Sequence, residues 1–228
     1  MSGTREIDRY SRRVDETIVD LVAPEGDELR RRFSAPELAA SLEDVRRYGR
    51  TLRSRLPRGG HATLTLPERD PIAILEEQNS TRLRELVPVR IGRMLQSPFA
   101  FYRGTAAVMA HDLAADRVTG HQVVCCGDAH ISNFGLFASP ERRVLFDLND
   151  FDEASNGPWE WDVKRLAASV VVGARDNGIA EAECRDVTET VVRTYRTALR
   201  ELFEMTALER YFFRVETDWL EETVGPPC

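Results

Sequence analysis

Two short apolar runs in this 228-residue chain are each followed by side chains that could bind a metal or accept a proton. The runs occupy residues 123–126 and 144–146, and each has the length of a buried strand. The polar residues after them are Asp128, His130 and Asn133, then Asp147, Asn149, Asp150 and Asp152. Because a strand fixes its backbone while the loop after it faces solvent, the pattern predicts a ligand site at the two strand ends.

The residue types at these strand ends favour phosphoryl transfer. Asp128 and Asn133 lie five residues apart, so one side chain can face a nucleophile while the other faces a metal. Asp150 can add an acidic ligand, and Mg²⁺ usually takes one or two protein carboxylates together with phosphate oxygens and water. In this interpretation Asp128 receives the proton of the acceptor, and Asn133 and Asp150 hold the metal. The alternative is a purely structural turn network, because Asp and Asn also favour turns.

The order G-D-x-H-x-x-N, then a short strand and D-F-D, resembles the catalytic and metal-binding loops of aminoglycoside phosphotransferases and choline kinases, which have a protein-kinase-like fold. The resemblance implies that Asp128 is catalytic and that Asn133 and Asp150 bind metal. His130 matches the histidine inside the motif, and Asp162 resembles the helix aspartate that braces the catalytic loop. The chain departs from the motif at Cys126, where that family has histidine. Asp147 is a rival to Asp150 as the metal-binding aspartate.

A closer resemblance covers about residues 70–205, through SPFAFYRG, CGDAHISNFG, FDLNDFDE and GPWEWDVKRLAAS. These four ordered motifs identify the chain as a member of the uncharacterised bacterial family known as domain of unknown function 2252. Its members are typically longer, with a later Gly-rich segment and a lysine-bearing strand that look like a nucleotide-binding lobe. Lys164 is the sole lysine here, and no G-x-G-x-x-G sequence occurs. We therefore expect a truncated chain that lacks the nucleotide lobe, or one in which arginines such as Arg103 replace the lysine.

The elements around the motifs predict an α+β fold that is mostly helical: a kinase-like C-terminal lobe whose short strands carry the catalytic and metal loops. Apolar residues recur at helical spacing in most other segments. They predict helices over 5–22, 34–53, 105–114, 159–177 and 181–205, and one helix or two short ones from 72 to a break at Val87-Pro88. Residues 98–103 are predicted to form a strand. The Arg58-Gly59-Gly60 loop indicates a boundary between an N-terminal helical arm, residues 1–60, and the catalytic-lobe domain, residues 61–228.

Composition restricts the partners. Apolar residues make up 42% and charged residues 30% of the chain, and the net charge of −7 argues against nucleic acid as a main partner. No apolar run is long enough to cross a membrane, and the charged N-terminus does not resemble a signal peptide, so we expect a cytoplasmic protein. The spacing of the four cysteines favours reduced thiols over a zinc site.

The sequence and its resemblances together predict a Mg²⁺-dependent phosphotransferase-like protein. Its partners would be a nucleotide, with ATP implied by the kinase resemblance, and a small-molecule or protein hydroxyl. A partner chain or a missing segment would supply the nucleotide lobe. Two alternatives stay open: a nucleotidyltransferase that uses the same site, and a non-catalytic, truncated binding module. A metal-dependent hydrolase is less favoured, because it would need a second metal or a paired histidine.

Overall fold

The computed structural model describes residues 42–216, and the chain divides into two units, Met1–Ser54 and Arg55–Cys228. In the first unit the structure describes residues 42–54, which belong to helix α1, Leu42–Arg55. Asp44 in the first turn of α1 forms an ion pair with Arg47. The predicted helix over 5–22, and the start of the one over 34–53, lie outside the described residues. The predicted boundary near residue 60 stays a prediction.

The second unit is α+β and mostly helical, as predicted. Its helices are α2 (Pro71–Ser80), α3 (Val87–Met94), α4 (Pro98–Arg103), α5 (Ala106–Ala114), α6 (Trp159–Asp176), α7 (Glu181–Glu204) and α8 (Ala207–Phe212). Its strands are β1 (Gln122–Cys125), β2 (Phe134–Ala138), β3 (Val144–Leu148) and β4 (Ser155–Pro158). None of the helices in the described ranges is long and apolar enough to span a membrane.

Two prolines mark helix starts where the sequence predicted other structure. Pro98–Arg103 is a helix and not a strand: the Ser97 hydroxyl caps it by accepting the Ala100 N–H at 3.1 Å, and Pro98 begins the first turn. Val87-Pro88 likewise begins α3 and does not end the preceding helix. The physical reason is the same in both cases. Proline has no N–H to lose in the first turn, and its fixed φ suits that position.

The four strands form two separate antiparallel pairs. β1 pairs with β4, so that Val123 lies opposite Gly157, and β2 forms a hairpin with β3, so that Phe134 lies opposite Leu148. Both predicted strands are therefore present. Their expected burial is only partial, because Val124 in β1 is 79% exposed. A sheet of only two strands is small, so the rest of the protein covers its two faces only in part.

Helix α6 is the scaffold on which the site is built. It packs against α7 along its length and also against α4 and β1. Gly178 ends this region with a φ of +73°, a conformation that favours glycine, as the sequence predicted. A small core contains Leu75 from α2, Met94 from α3 and Val108 from α5. The helices thus hold α6 in place while its first turns face the strand ends.

Candidate active site

Two loops meet beside the first turns of α6. The first loop, residues 126–133, joins β1 to β2, and the second loop, residues 149–154, joins β3 to β4. Asn133 binds them together through its side-chain amide nitrogen, which donates to the carbonyl oxygens of Asp128 at 3.1 Å and Asp150 at 3.2 Å. The N–H of Asn149 returns a bond to the carbonyl oxygen of Asn133 at 2.9 Å. The structure therefore brings three of the predicted residues together at one junction.

Gly127 allows the two loops to approach so closely. Its φ is +83°, and a Cβ at this position would lie 2.8 Å from the carbonyl carbon of Glu153 and collide with that carbonyl's oxygen. Any other residue would be strained in conformation and would also push the second loop away. The glycine of the G-D-x-H motif is thus a requirement of the loop contact.

Asp162, on the first turn of α6, holds the backbone of the first loop through two hydrogen bonds. Its carboxylate accepts the N–H of Cys126 at 2.7 Å and the N–H of Gly127 at 3.0 Å. The residue lies where the resemblance to kinases suggested a bracing aspartate. The Cys126 side chain is buried between the loops, and its sulfur lies 3.5 Å from the carbonyl oxygen of Asp150. Burial raises the pKa of this thiol, which favours its protonated form.

Asp128 is held by a residue that the sequence did not single out, Arg165. The Arg165 Nε and Nη2 atoms lie 2.8 Å and 2.6 Å from the same carboxylate oxygen, Oδ1. Arg165 is only 2% exposed. It lies three residues after Asp162, on the same face of α6. Because residues three or four apart on a helix lie on the same face, the predicted helix places Arg165 near Asp162. This spacing is the signal by which the sequence could have indicated Arg165.

The other oxygen of Asp128 faces His130. Asp128 Oδ2 lies 3.6 Å from His130 Nε2, and the buried Nδ1 atom of His130 has no hydrogen-bond partner within residues 42–216. Burial lowers the pKa of His130, and the charges of Arg165 and Arg103 lower it further, despite the opposing charge of Asp128. The imidazole is therefore neutral at pH 7. Asp128 thus has one oxygen fixed by a cation and one oxygen beside an uncharged ring.

The remaining predicted residues lie at the edges of the site. Asp147 is exposed on β3 opposite Gly135, and its side chain accepts the N–H of Leu148. Asp152 is exposed, and its N–H bonds the carboxylate of Asp150 at 3.1 Å. Arg103 ends α4 and is exposed; in the part of the chain that the structure describes it forms no salt bridge. The arginine that pairs with a site carboxylate is Arg165, through Asp128.

Asn133 and Asp150 carry oxygen atoms of the kind that a hard cation such as Mg²⁺ takes as ligands. The side-chain nitrogen of Asn133 is occupied by its two hydrogen bonds, which leaves the side-chain oxygen as the atom that could bind a cation. In the Asp150 carboxylate, Oδ1 accepts the Asp152 N–H, and Oδ2 has no hydrogen bond within residues 42–216. Burial raises the pKa of Glu153, and so do the charges of Asp128, Asp150 and Asp152, whereas the charge of Arg82 lowers it. Within residues 42–216 no three His, Cys, Asp or Glu side chains form a ready metal cluster. Asn133 and one carboxylate would satisfy Mg²⁺ only together with water and substrate oxygens.

The described residues offer no free lysine to bind the phosphates of a nucleotide. The sole lysine, Lys164, pairs with Asp116 at 2.5 Å, on a carboxylate that also accepts the Thr65 N–H at 2.8 Å. Burial alone would raise the pKa of Asp116, but the bonds from Lys164 and Thr65 prevail and lower it. Lys164 is thus a structural residue.

The chain is an α+β protein in which carboxylate and amide side chains lie where two loops meet beside one helix. The family model described as "Uncharacterized protein conserved in bacteria (DUF2252)" matches residues 82–225, and the chain belongs to this family. The match includes both loops and the first turns of α6. No curated protein and no solved structure matches the chain. The similarity to kinases therefore stays a prediction.

Proposed function

We propose that this protein is a Mg²⁺-dependent, phosphotransferase-like protein that acts on a hydroxyl group of a small molecule or a protein. The observation that carries the proposal is the junction at Asn133. One amide joins the loop of Asp128 to the loop of Asp150, so that a proton acceptor and a metal ligand share a fixed frame. Phosphoryl transfer depends mainly on such positioning and on charge stabilisation.

Each residue has a definite role in this proposal. Asp128 orients the acceptor hydroxyl and takes its proton on Oδ2, the oxygen that Arg165 does not bind. Asn133, through its side-chain oxygen, and Asp150 hold the cation. Mg²⁺, when bound, would neutralise charge on the transferred phosphoryl group. Asp162 keeps the first loop in place through its two backbone bonds. Asp147 and Asp152 lie beside the site and supply negative charge.

The second candidate is a non-catalytic binding module. The ion pair of Lys164 with Asp116 favours it, because the only lysine of the chain is occupied. In the phosphotransferase proposal a further segment or a partner chain must bind the nucleotide phosphates. Nucleotidyl transfer would use the same cation site with the nucleotide reversed. Mass spectrometry after incubation with MgATP and hydroxyl acceptors separates the two reactions, since one adds a phosphate and the other an adenylyl group.

Calorimetric titration with Mg²⁺, first alone and then together with ATP, tests the proposed site. We expect binding that weakens at least tenfold in Asp150→Ala, because a ligand of the cation is removed. Asp186→Ala is the matched control, since Asp186 is an exposed aspartate on α7. Binding that neither Asp128→Ala nor Asp150→Ala changes would refute the site assignment. Mg²⁺ binding with no transfer from ATP to any hydroxyl acceptor would support the binding module.

A further inference from the structure

The surroundings of Arg165 fix its guanidinium from several directions. Besides Asp128, its Nη2 atom donates to the carbonyl oxygen of Tyr102 at 2.8 Å, and the group lies 4.2 Å from the centre of the Tyr102 ring. The Tyr102 hydroxyl donates in turn to the Arg165 carbonyl oxygen at 2.7 Å. Burial raises the pKa of Tyr102 to about 12, so this hydroxyl keeps its proton. With these partners the buried guanidinium of Arg165 has a fixed position, and it therefore fixes the carboxylate oxygen of Asp128 that it binds.

Arg165 pairs with one carboxylate of the site and with none of the others. Asp128 forms a salt bridge with Arg165, whereas Asp150, Asp152 and Glu153 form none with any residue in the range 42–216. Arg82 acts on the Glu153 carboxyl through its charge but forms no salt bridge with it, so among residues 42–216 no paired counterion holds the carboxylates of the second loop. Asp128, which influences the Glu153 carboxyl and so lies near the same charges, already has its counterion.

From this difference we infer that Arg165 is a positioning residue that keeps Asp128 out of the cation's ligand shell. It holds Oδ1 and neutralises the carboxylate, so that the Asp150 loop binds the cation and Asp128 Oδ2 remains open to an acceptor hydroxyl. Without Arg165, Asp128 would become an additional anionic ligand. The inference rests on the proposed function, because it assumes a cation at Asn133 and Asp150.

Binding of Mn²⁺ alone, followed by electron paramagnetic resonance, tests this inference without any assay of activity. In Arg165→Gln we expect binding about tenfold tighter than in the unmodified protein, the order produced by removing a unit charge within a nanometre of a divalent ion. Asp128→Asn should weaken binding, because it leaves the Arg165 cation uncompensated. The double variant Asp128→Asn/Arg165→Gln should return to within about twofold of the unmodified protein, since both charges are gone.

Arg165→Lys keeps the charge and serves as the variant that folds if Arg165→Gln does not. Its Mn²⁺ affinity should remain within about twofold of the unmodified protein, because a point charge still offsets Asp128. A folded Arg165→Gln with unchanged or weaker Mn²⁺ binding would overturn the inference, as would tighter binding that persists in the double variant. If Arg165→Gln does not fold, tighter binding in Arg165→Lys would also overturn it.

The same titration separates failure of the inference from failure of the proposed function. Mn²⁺ binding that Asp150→Asn does not affect would refute the cation site itself, whatever the Arg165 variants do. Binding that depends on Asp150 but not on Arg165 would leave the cation site intact and refute only the role given to Arg165.

Discussion

Replacing Asp128 by alanine should destabilise the protein strongly, although Asp128 belongs to the site and not to the core. Arg165 is 2% exposed, and Asp128 is its one salt-bridge partner among residues 42–216, so the substitution leaves a buried guanidinium without its counterion. Breaking one side of a buried ion pair costs roughly 3–5 kcal/mol. The Asp128 side chain retains 14% exposure, which lets water solvate part of the charge and favours the lower end, about 3 kcal/mol.

For a chain of this size, about 3 kcal/mol corresponds to a fall of roughly 6–12 °C in the thermal midpoint. Circular dichroism at a helix-sensitive wavelength measures it. Asp150→Ala is the matched control, because this exposed aspartate accepts only the N–H of Asp152 among the described contacts of its carboxylate, and its loss should cost about 1 kcal/mol or less.

The double variant Asp128→Ala/Arg165→Met shows whether the stranded charge is the cause. Removing both partners leaves no buried ion, so at least half of the lost stability should return. Equal midpoints for Asp128→Ala and Asp150→Ala would refute the reasoning. A double variant less stable than Asp128→Ala would refute it too.

Three further substitutions test the frame of the site. Gly127→Ala should cost about 2 kcal/mol or more and weaken Mn²⁺ binding, because it adds a collision to the left-handed strain. Gly178→Ala, whose Cβ would meet nothing within 4 Å, should show the strain alone; equal losses in denaturant titrations would contradict the loop contact. Because burial lowers the pKa of His130, the unfolded chain binds that proton first, so stability should fall as the pH drops below about 6.5. His130→Gln should flatten this slope in denaturation midpoints and the exposed control His111→Gln should not; identical slopes would argue against a buried neutral imidazole. Asp162→Ala should cost roughly 2–4 kcal/mol, since two loop N–H groups lose their acceptor, and a loss below about 1 kcal/mol would show that water replaces it.

Local sequence patterns predicted those parts of the fold that depend on local forces. The apolar spacing of residues 159–176 and 181–204 defined α6 and α7, and Gly178 marked the turn between them. The aromatic segment at 98–103 was misread as a strand, because apolar content outweighed the capping pattern Ser97-Pro98. In a segment of six residues, the cap decides between helix and strand, and periodicity has too little length to do so.

The loop residues that the structure brings together were predictable, whereas Arg165 and the side-chain pairings were not. The residues of the two loops could be named because they follow strands in a recognisable order. The partner of Asp128 could not, because Arg165 lies 37 residues away in sequence and reaches it only through the packing of α6. Lys164 is the sole lysine of the chain. Its ion pair with Asp116, 48 residues away in sequence, gives it a structural role. Long-range pairings of this kind depend on tertiary geometry that no local pattern encodes.

The central claim is that the second loop binds a divalent cation through Asp150 with Asn133. Mn²⁺ titration of the full chain, compared with Asp150→Asn and Asp147→Asn, tests it most directly. We predict one bound ion per chain, at least tenfold weaker binding in Asp150→Asn, and a change of less than about threefold in Asp147→Asn, whose exposed carboxylate lies on β3. Unchanged binding in Asp150→Asn, or a larger loss in Asp147→Asn, would contradict the claim.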